Sequence, residues 1–551
     1  MISSHTIRGG WQRLHGAIDR SSGMILLLSV VFSPWAFGTT ADWAIWCMNC
    51  AGYLLGALLL CKWCIRRFQG VTPDRWCSGG GPAYLRPSSE GVLGGDAAAT
   101  GLGVGGSIDP GGNGAGRGPG SRTVASVWMV RAMFGLTVLA LGYVLVSALN
   151  YRAVFTDGAQ RLDYRECVPW LPHTYDRDRT WFFFWMYLGL ACHFWAARDW
   201  LMGVDDRDVV RAGDEGGMRQ RHRGGARGSS DWQIPFRIRR LLLCLCLNGA
   251  LVAAEGLVQR GAGVNRLLFV RLPLYNTHVV DQYGPYAYRG NASQLMNLLW
   301  PVAVGLAWVL AREGRSARRG GRRVSGWQVP ALVIGAVLMG AAPFVSSCRG
   351  GAIISALMVL PLAVMALRAS AKEGGKWRLS VLLGACAMMQ IGVVFGWDAL
   401  TERFGTALTD DMSGRPALWA NARQMLGDYP VFGCGPGSFA SLYGFYRDNA
   451  GQTRESYAHD DWLETRITFG TVGSTIVFSL LAMVPLVWCA GTGRRVHWLL
   501  PSVLWLAIGG CLVHARFDFP FRIHSVTYAF LLLCCVLTCP AVSGRLRSGP
   551  G

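Results

Sequence analysis

The chain has 551 residues, of which 51% are apolar and only 16% charged, and its formal net charge is +20. This composition excludes an ordinary soluble enzyme, because the apolar residues lie in blocks of about 16–25, the length that crosses a bilayer core of roughly 30 Å. Lipid cannot satisfy free backbone groups, and the blocks lack strand-like alternation, so we expect an all-α polytopic membrane protein. The cations follow particular loops instead of one surface, which argues against a nucleic-acid partner.

The apolar blocks predict about twelve transmembrane helices. The first block follows several arginines and resembles a signal peptide, but no small-x-small cleavage site follows and a second block begins almost at once. We therefore interpret it as the first span. The predicted spans are residues 24–38, 43–61, 126–148, 181–202, 241–257, 292–311, 328–345, 352–368, 379–396, 467–490, 497–513 and 525–542.

Arginine and lysine predict the orientation of these spans. They concentrate in the short turns 312–323, 372–378 and 491–495, which the positive-inside rule places in the cytoplasm. Both termini are then cytoplasmic. The polar stretch 397–465, which has a folded-looking mixture of aromatic, charged and turn residues, lies outside as a large, partly helical periplasmic loop.

The composition divides the chain into four regions. Residues 1–77 hold the first two spans, and the very Gly-rich segment 78–121 predicts a disordered cytoplasmic linker, because it lacks the apolar area to offset its ordering entropy. Residues 122–240 hold the third and fourth spans and a basic cytoplasmic loop. Residues 241–545 form a membrane domain that includes the loop 397–465.

Two arginines at predicted outer helix ends are candidates for binding an anion. Arg349 lies in SSCRGGAII, where an immersed cation costs about 2.5–3.5 kcal/mol and is usually paired or functional. The alternative for Arg349 is that it snorkels to the lipid headgroups. Arg289 lies directly before a span that Asn291 can cap, so free N–H groups and Arg289 together favour an anion there. An ordinary basic residue at the start of a helix is the alternative for Arg289.

The periplasmic loop carries a third arginine and a glycine-rich turn. Arg415 opens a predicted amphipathic helix in GRPALWANARQML, whose apolar stripe consists of Leu418, Ala422 and Met425 with Trp419 beside it. The segment FGCGPGSF follows, and its glycines and proline predict tight backbone turns.

A histidine and a late polar turn complete the candidates. His459 lies in SYAHDDWLE just before a span that Asp460 or Asp461 can cap, and a structural histidine at the interface is the alternative. The last outer turn, HARFDFPFRIHS, contains five polar residues, two of which can neutralise each other as a buried pair: His514, Arg516, Asp518, Arg522 and His524.

The order of these motifs resembles one known family. SSCRGG, GRPALW, PVFGCGPGSF, AHDDWLE and HARFDF follow one another over roughly residues 240–535. This pattern is similar to the O-antigen ligase and Wzy-type polymerase superfamily, whose members act on bacterial surface polysaccharides. The chain departs from the family at Asp460, where Asn is frequent, and at Cys348, where Ser is common.

The resemblance implies a fold like that of the GT-C-type glycosyltransferases, in the bacterial inner membrane with the active site facing the periplasm. It implies transfer of a glycan from a polyprenyl diphosphate carrier to a hydroxyl of a lipid, glycan or protein acceptor. The leaving diphosphate needs fixed cations, and arginine offers a planar fork for phosphate oxygens. We expect Arg289, Arg349 and Arg415 to fill this role.

The acceptor hydroxyl must also lose a proton as it attacks. A neutral imidazole suits this task, so His459 is the expected base, oriented by Asp460 or Asp461. Arg349 and Arg415 complete the expected catalytic set, and His514 and Asp518 are expected to support it. This reaction requires no metal and no cofactor.

Three alternatives remain at this point. The same chemistry serves a polymerase that extends the glycan or a ligase that attaches it to protein. A secondary transporter with twelve helices predicts two internally similar halves, which the sequence does not show. A membrane scaffold that uses the basic cytoplasmic loops leaves Arg415 and His459 without a purpose.

Overall fold

Long helices make up most of the protein. The computed structural model describes residues 4–75, 119–156, 158–208, 234–319, 326–370, 384, 401, 405, 415–447, 456–491, 498–540 and 542. Three predicted features lie largely outside the described residues: the span 379–396, the linker 78–121 and the first part of the periplasmic loop, 397–414.

Thirteen helices and one hairpin follow one another along the described chain. The helices are α1 (Ser4–Trp35), α2 (Asp42–Gln69), α3 (Pro119–Leu149), α4 (Arg177–Leu201), α5 (Phe236–Gly261), α6 (Arg289–Arg319), α7 (Gln328–Val345), α8 (Arg349–Ser370), α9 (Arg415–Asp428), α10 (Phe439–Tyr443), α11 (Asp461–Ala490), α12 (Leu499–His514) and α13 (His524–Leu537). Strands β1 (Ala153–Thr156) and β2 (Arg161–Tyr164) pair antiparallel, with Ala153 opposite Tyr164. Short 3-10 turns occupy residues 37–39, 279–281, 444–446 and 520–522.

Eight of the described helices are long and apolar enough to cross a membrane, namely α1, α2, α3, α5, α6, α7, α8 and α11. Helices α12 and α13 are apolar but shorter. These helices make the chain a multi-pass membrane protein, as its composition predicts. Helix α4 covers the predicted span 181–202 but is not one of the eight. The number of twelve spans and their orientation stay predictions.

Helix α6 is the centre of the bundle. It packs against α5, α7, α8, α12 and α13, and 89% of its membrane-length window is buried, against 22% for α11. The large side chain of Trp308 is fully buried within it. Because α6 begins at Arg289, this predicted site residue lies at one end of the central helix.

Several helix ends meet beside the start of α6, and we call this region the site end. The Asp461 N–H, at the start of α11, donates to Ala515 O, just past α12, at 2.8 Å. The start of α13 joins them through the hydroxyls of Tyr286 and Ser525, 3.0 Å apart. The site end is therefore built from segments that are far apart in the sequence.

Residues 415–447 form a layer over the site end, anchored by backbone contacts. The N–H groups of Cys434 and Gly435 donate to Ile467 O and Thr468 O at 2.9 and 3.0 Å. Gly433 has φ +72°, and a Cβ there would lie 2.5 Å from backbone atoms of Thr468 and Gly470. Only glycine permits both this conformation and this approach, so the predicted tight turn is confirmed.

The amphipathic helix predicted to begin at Arg415 is also confirmed. Helix α9 begins at that residue and buries the predicted stripe. The stripe belongs to a small separate hydrophobic core. Phe439 and Tyr443 of α10, Ala458 just before α11 and Ile467 within α11 complete this core. This second core holds the layer together apart from the main bundle.

Candidate active site

His459 and Asp518 form the centre of the candidate site. His459 Nδ1 lies 3.1 Å from Asp518 Oδ1. Because an ionised carboxylate only accepts hydrogen bonds, Nδ1 carries the proton and Nε2 keeps its lone pair. His459 has φ +49°, a strained value for a residue other than glycine. The backbone is thus held in a rare conformation where the imidazole meets its carboxylate, as is common at functional sites.

Asp518 is a hub for several groups. The Tyr288 hydroxyl donates to its Oδ2 at 3.4 Å, and His514 Nε2 lies 4.0 Å from the same oxygen. Burial by itself would raise the pKa of Asp518, but the hydrogen bond from His459 and the charges of His459, Arg415 and His514 lower it below its ordinary value. Asp518 therefore stays ionised and keeps the His459 tautomer in place.

Asp460 and Asp461, which the sequence suggested as partners of His459, have other tasks. Asp460 caps α11 by accepting from the N–H groups of Trp462 and Leu463, and it pairs with Arg516 at 2.6 Å. Burial raises its pKa in spite of these contacts. Asp461 accepts from the Phe521 N–H at 2.8 Å. The predicted cap is confirmed, whereas the carboxylate that contacts the His459 ring is Asp518, because the turn after α12 folds over the histidine.

Two of the predicted arginines lie close to this centre. Arg415 donates to Phe517 O at 2.8 Å, and its Nη2 lies 3.4 Å from His459 Nδ1. Arg349 is the first residue of α8. The next residue, Gly350, is so close to His514 that a Cβ there would lie 3.5 Å from Nε2. The start of α8 and the histidine–aspartate pair therefore share one site.

Arg289 lies in the same region but is already paired. It makes a salt bridge to Asp281, and its Nη1 donates to Val280 O at 3.0 Å. The prediction that Asn291 caps this helix is wrong. Helix α6 begins at Arg289, and the Asn291 N–H already donates to Tyr288 O at 3.0 Å, so Asn291 lies inside the first turn.

Aromatic rings enclose the imidazole. The His459 ring meets the Phe519 ring edge-on, with 4.7 Å between centroids. Phe519 stacks in turn on Tyr288 and on Tyr457, at 5.5 and 4.6 Å. Such packing restricts the ring of His459 and excludes water from its Asp518 side, which strengthens the hydrogen bond.

A buried ion cluster lies beside the site. Arg522 Nε is 3.0 Å from Glu464 Oε1 and 3.5 Å from Asp461 Oδ1, with all three side chains almost fully buried. The sequence predicted a buried pair within the last outer turn, whereas Arg522 of that turn pairs with two carboxylates of α11. The position of this cluster next to α11 and α13 suits a structural role, because a buried arginine needs such partners.

An apolar cavity of about 300 Å³ reaches this ion cluster. It lies between α3, α4, α11 and α13, and Asp461 and Arg522 mark its polar end. Most of the remaining lining is apolar, including Leu141, Phe469 and Phe530. The cavity therefore suits a hydrocarbon chain with a polar group near its end.

Sequence reasoning missed Tyr288, Phe519 and Asp281. Tyr288 and Phe519 flank motif residues but carry no pattern that distinguishes them from interfacial aromatics. Asp281 lies eight residues before Arg289, and the chain between them turns back through the Tyr283–Tyr286 bridge, which brings the two together. No local signal predicts such contacts.

Comparison with known proteins bears on this site directly. Residues 334–478 match the family model described as O-antigen ligase. The matched segment contains Arg349, Arg415 and His459, and it lies within the region of motif resemblance. No curated protein shows significant similarity to the chain. Residues 334–478 therefore match an O-antigen ligase domain, which supports the superfamily resemblance carried by the motifs.

Proposed function

We propose that the protein transfers a glycan from a polyprenyl diphosphate carrier to an acceptor hydroxyl at the periplasmic face of the bacterial inner membrane. The family match supports a role in surface glycan ligation. The observation that best supports the catalytic assignment is the contact between His459 Nδ1 and Asp518. It leaves Nε2 as a proton acceptor beside two helix-end arginines.

In the proposed step the acceptor oxygen attacks the anomeric carbon of the donor sugar. The bond from this carbon to the diphosphate oxygen breaks, and its electron pair stays on the diphosphate. The proton of the acceptor hydroxyl moves to Nε2 of His459. Asp518 stabilises the imidazolium that forms, as a positioning residue, and the proposal assigns no role to a metal ion.

Arg349 and Arg415 are the proposed ligands of the leaving diphosphate. Arg415 donates to the backbone carbonyl of Phe517 and lies 3.4 Å from the His459 ring, and its charge acts on the nearby Asp518 carboxylate without a described salt bridge to it. Arg349 begins α8, and the positive end of this helix dipole adds a favourable field for an anion. Arg289 contributes once an incoming phosphate competes with Asp281 for its guanidinium.

The apolar cavity is the proposed place for part of the carrier's isoprenoid chain. Its polar end is formed by Asp461 and Arg522, and Asp461 follows His459 by only two residues. A chain seated there would keep the diphosphate at the level of the helix ends. The acceptor would then approach from the periplasmic side.

A complementation experiment tests the proposal. We expect His459→Ala and Arg349→Ala to abolish surface glycan transfer in a deletion strain while the proteins reach normal membrane levels. His278→Ala and Arg466→Ala, at exposed positions of the described chain, are the matched controls and should restore transfer. Transfer by both site variants would refute the assignment.

The same strain separates ligase from polymerase. If full-length lipid-linked polymer accumulates, the protein attaches finished glycan to its acceptor, as proposed. Accumulation of single lipid-linked repeat units would instead identify a polymerase. An added protein acceptor bearing new glycan would identify protein O-glycan ligation.

A further inference from the structure

The loop between α5 and α6 exposes an unusual number of apolar side chains. Val270, Leu274 and Tyr275 are 72%, 85% and 81% exposed, and Phe269 and Leu272 are also exposed. A patch of this kind is typical of a surface that contacts another molecule or a membrane. Nothing in the proposed reaction uses it.

Buried hydrogen bonds hold this loop in its shape. Gln259 and Gln282 are both fully buried. Gln259 Nε2 donates to Arg266 O at 3.1 Å, and Gln282 Nε2 donates to Asn276 O at 2.8 Å. Two buried amides thus fasten the loop near both of its ends, and the exposure of its apolar residues is a property of an ordered segment.

A strained turn directs the apolar tip outward. The Leu267 N–H donates to Arg271 O at 2.8 Å, which closes a tight turn. Leu268 and Phe269, inside the turn, have φ values of +52° and +62°. This conformation is costly for bulky residues and persists only where the surrounding contacts impose it.

The surroundings of the loop identify its partner. It joins the ends of two membrane-length helices, so it lies at the boundary of the bilayer. Helix α5 presents exposed Leu251 and Val258 on one face, and the exposed apolar residues of the loop follow shortly after. The guanidinium of Arg271 lies 5.3 Å over the Phe37 ring, beside the turn that joins two further spans, α1 and α2.

Charge complementarity favours a lipid surface over a protein. Arg266 and Arg271 are exposed on either side of the tip, and anionic lipid headgroups attract such residues. We propose that residues 266–275 dock on the adjoining lipid leaflet. Phe269, Val270 and Leu274 enter its apolar boundary, and the two arginines lie at lipid phosphates.

This docking has a consequence for the site. The loop leads directly into Val280 and Asp281, which hold the Arg289 side chain. The depth of the loop in the leaflet then sets the height of Arg289 relative to the lipid phosphates. This consequence rests on the proposed function, whereas the docking itself does not.

Photo-crosslinking of the full-length protein tests the docking. p-Benzoylphenylalanine is placed at Leu274, or at Ala159 in the exposed turn of the β1–β2 hairpin as the matched control. The protein is reconstituted in vesicles of phosphatidylcholine with about a quarter phosphatidylglycerol. We expect lipid adducts at Leu274 to exceed those at Ala159 by about tenfold by mass spectrometry. Equal yields, or adducts at Leu274 with a second copy or another protein, would overturn the proposal.

A second variant tests the charge component. Arg271→Gln, combined with the probe at Leu274, should lower the phosphatidylglycerol enrichment of the adducts about fivefold. Arg161→Gln on the exposed hairpin is the control and should leave the enrichment unchanged. Unchanged enrichment in Arg271→Gln would refute the arginine contacts. Because the readout is a lipid adduct, failure here is distinct from failure of glycan transfer.

Discussion

Two charged clusters at opposite ends of the helix bundle differ in how their cations are satisfied. At the end away from the site, Lys62 is fully buried and lies 3.0 Å from Asp19 and 2.7 Å from Asp199. Three arginines share these two carboxylates: Arg66, Arg75 and Arg237. We call these six residues the opposite-end network. It ties α1, α2, α4 and α5 together.

The site end has a different arrangement. Arg289 and Arg522 are paired with carboxylates there too. Asp518, however, orients an imidazole, and Arg415 donates to the neutral backbone carbonyl of Phe517. Cations locked onto carboxylates contribute to a fixed packing of helices. A cation that faces neutral acceptors keeps its field for an incoming anion. A structural cluster therefore differs from a candidate active site in what its cations contact, and the number of cations matters less.

The largest expected effect is on catalysis at the site end. Asp518→Asn keeps the size of the side chain but removes the charge that fixes the His459 tautomer, so we expect glycan transfer to fall by about 10²–10⁴-fold. The measurement is the transfer rate per folded molecule in membranes. Asp163→Asn, on the exposed hairpin, should keep the full rate. If the transfer rate falls by less than about tenfold, Asp518 does not orient the catalytic base.

The second expected effect is on stability at the opposite end. Lys62→Met leaves Asp19 and Asp199 without their buried ammonium, so we expect the free energy of unfolding to fall by about 3–5 kcal/mol. Chemical unfolding of the purified protein in detergent measures this. The control is Arg161→Met, which breaks a solvent-exposed pair and should cost less than about 1 kcal/mol. Equal losses in both variants would contradict the comparison.

A third prediction concerns the layer over the site. Gly433→Ala forces a Cβ into a left-handed conformation and against the Thr468 backbone, so we expect about 1–3 kcal/mol less stability of the docked layer. Faster limited proteolysis within residues 415–447 measures it. Gly444→Ala, where nothing lies within 4 Å of the new Cβ, is the control. Similar cleavage rates in the two variants would show that the docking tolerates a side chain.

The smallest effect is on the pH dependence of stability. The pKa of Asp518 is lowered, so its ionised form stabilises the fold fully above the ordinary carboxyl pKa of about 4. This contribution is lost as the pH falls through the lowered value. The difference in Tm between the wild type and Asp518→Asn should therefore stay constant from neutral pH to about pH 5 and shrink only in stronger acid. A Tm difference that becomes smaller as the pH rises would contradict the predicted direction of the Asp518 pKa shift.

Local features were predictable because neighbouring residues create them. The helix at Arg415 follows from its apolar period, and the cap at Asp460 follows from a side chain that reaches N–H groups two and three residues ahead. The turn at Gly433 was predictable because glycine adopts positive φ values that other residues rarely adopt. The predicted cap at Asn291 was wrong because α6 begins at Arg289, three residues before the start of the predicted span at residue 292.

The amino-acid sequence by itself determined the membrane character and the resemblance to O-antigen ligases, since these depend on composition and short motifs. Only the tertiary structure decided which carboxylate serves His459. Asp518 is 59 residues away, and Asp460 and Asp461 are adjacent or nearly so but turned to the start of α11. Tertiary packing also neutralised Arg289 through Asp281. These contacts depend on which helix ends lie next to each other in the folded protein. The separation of two residues along the sequence does not predict this.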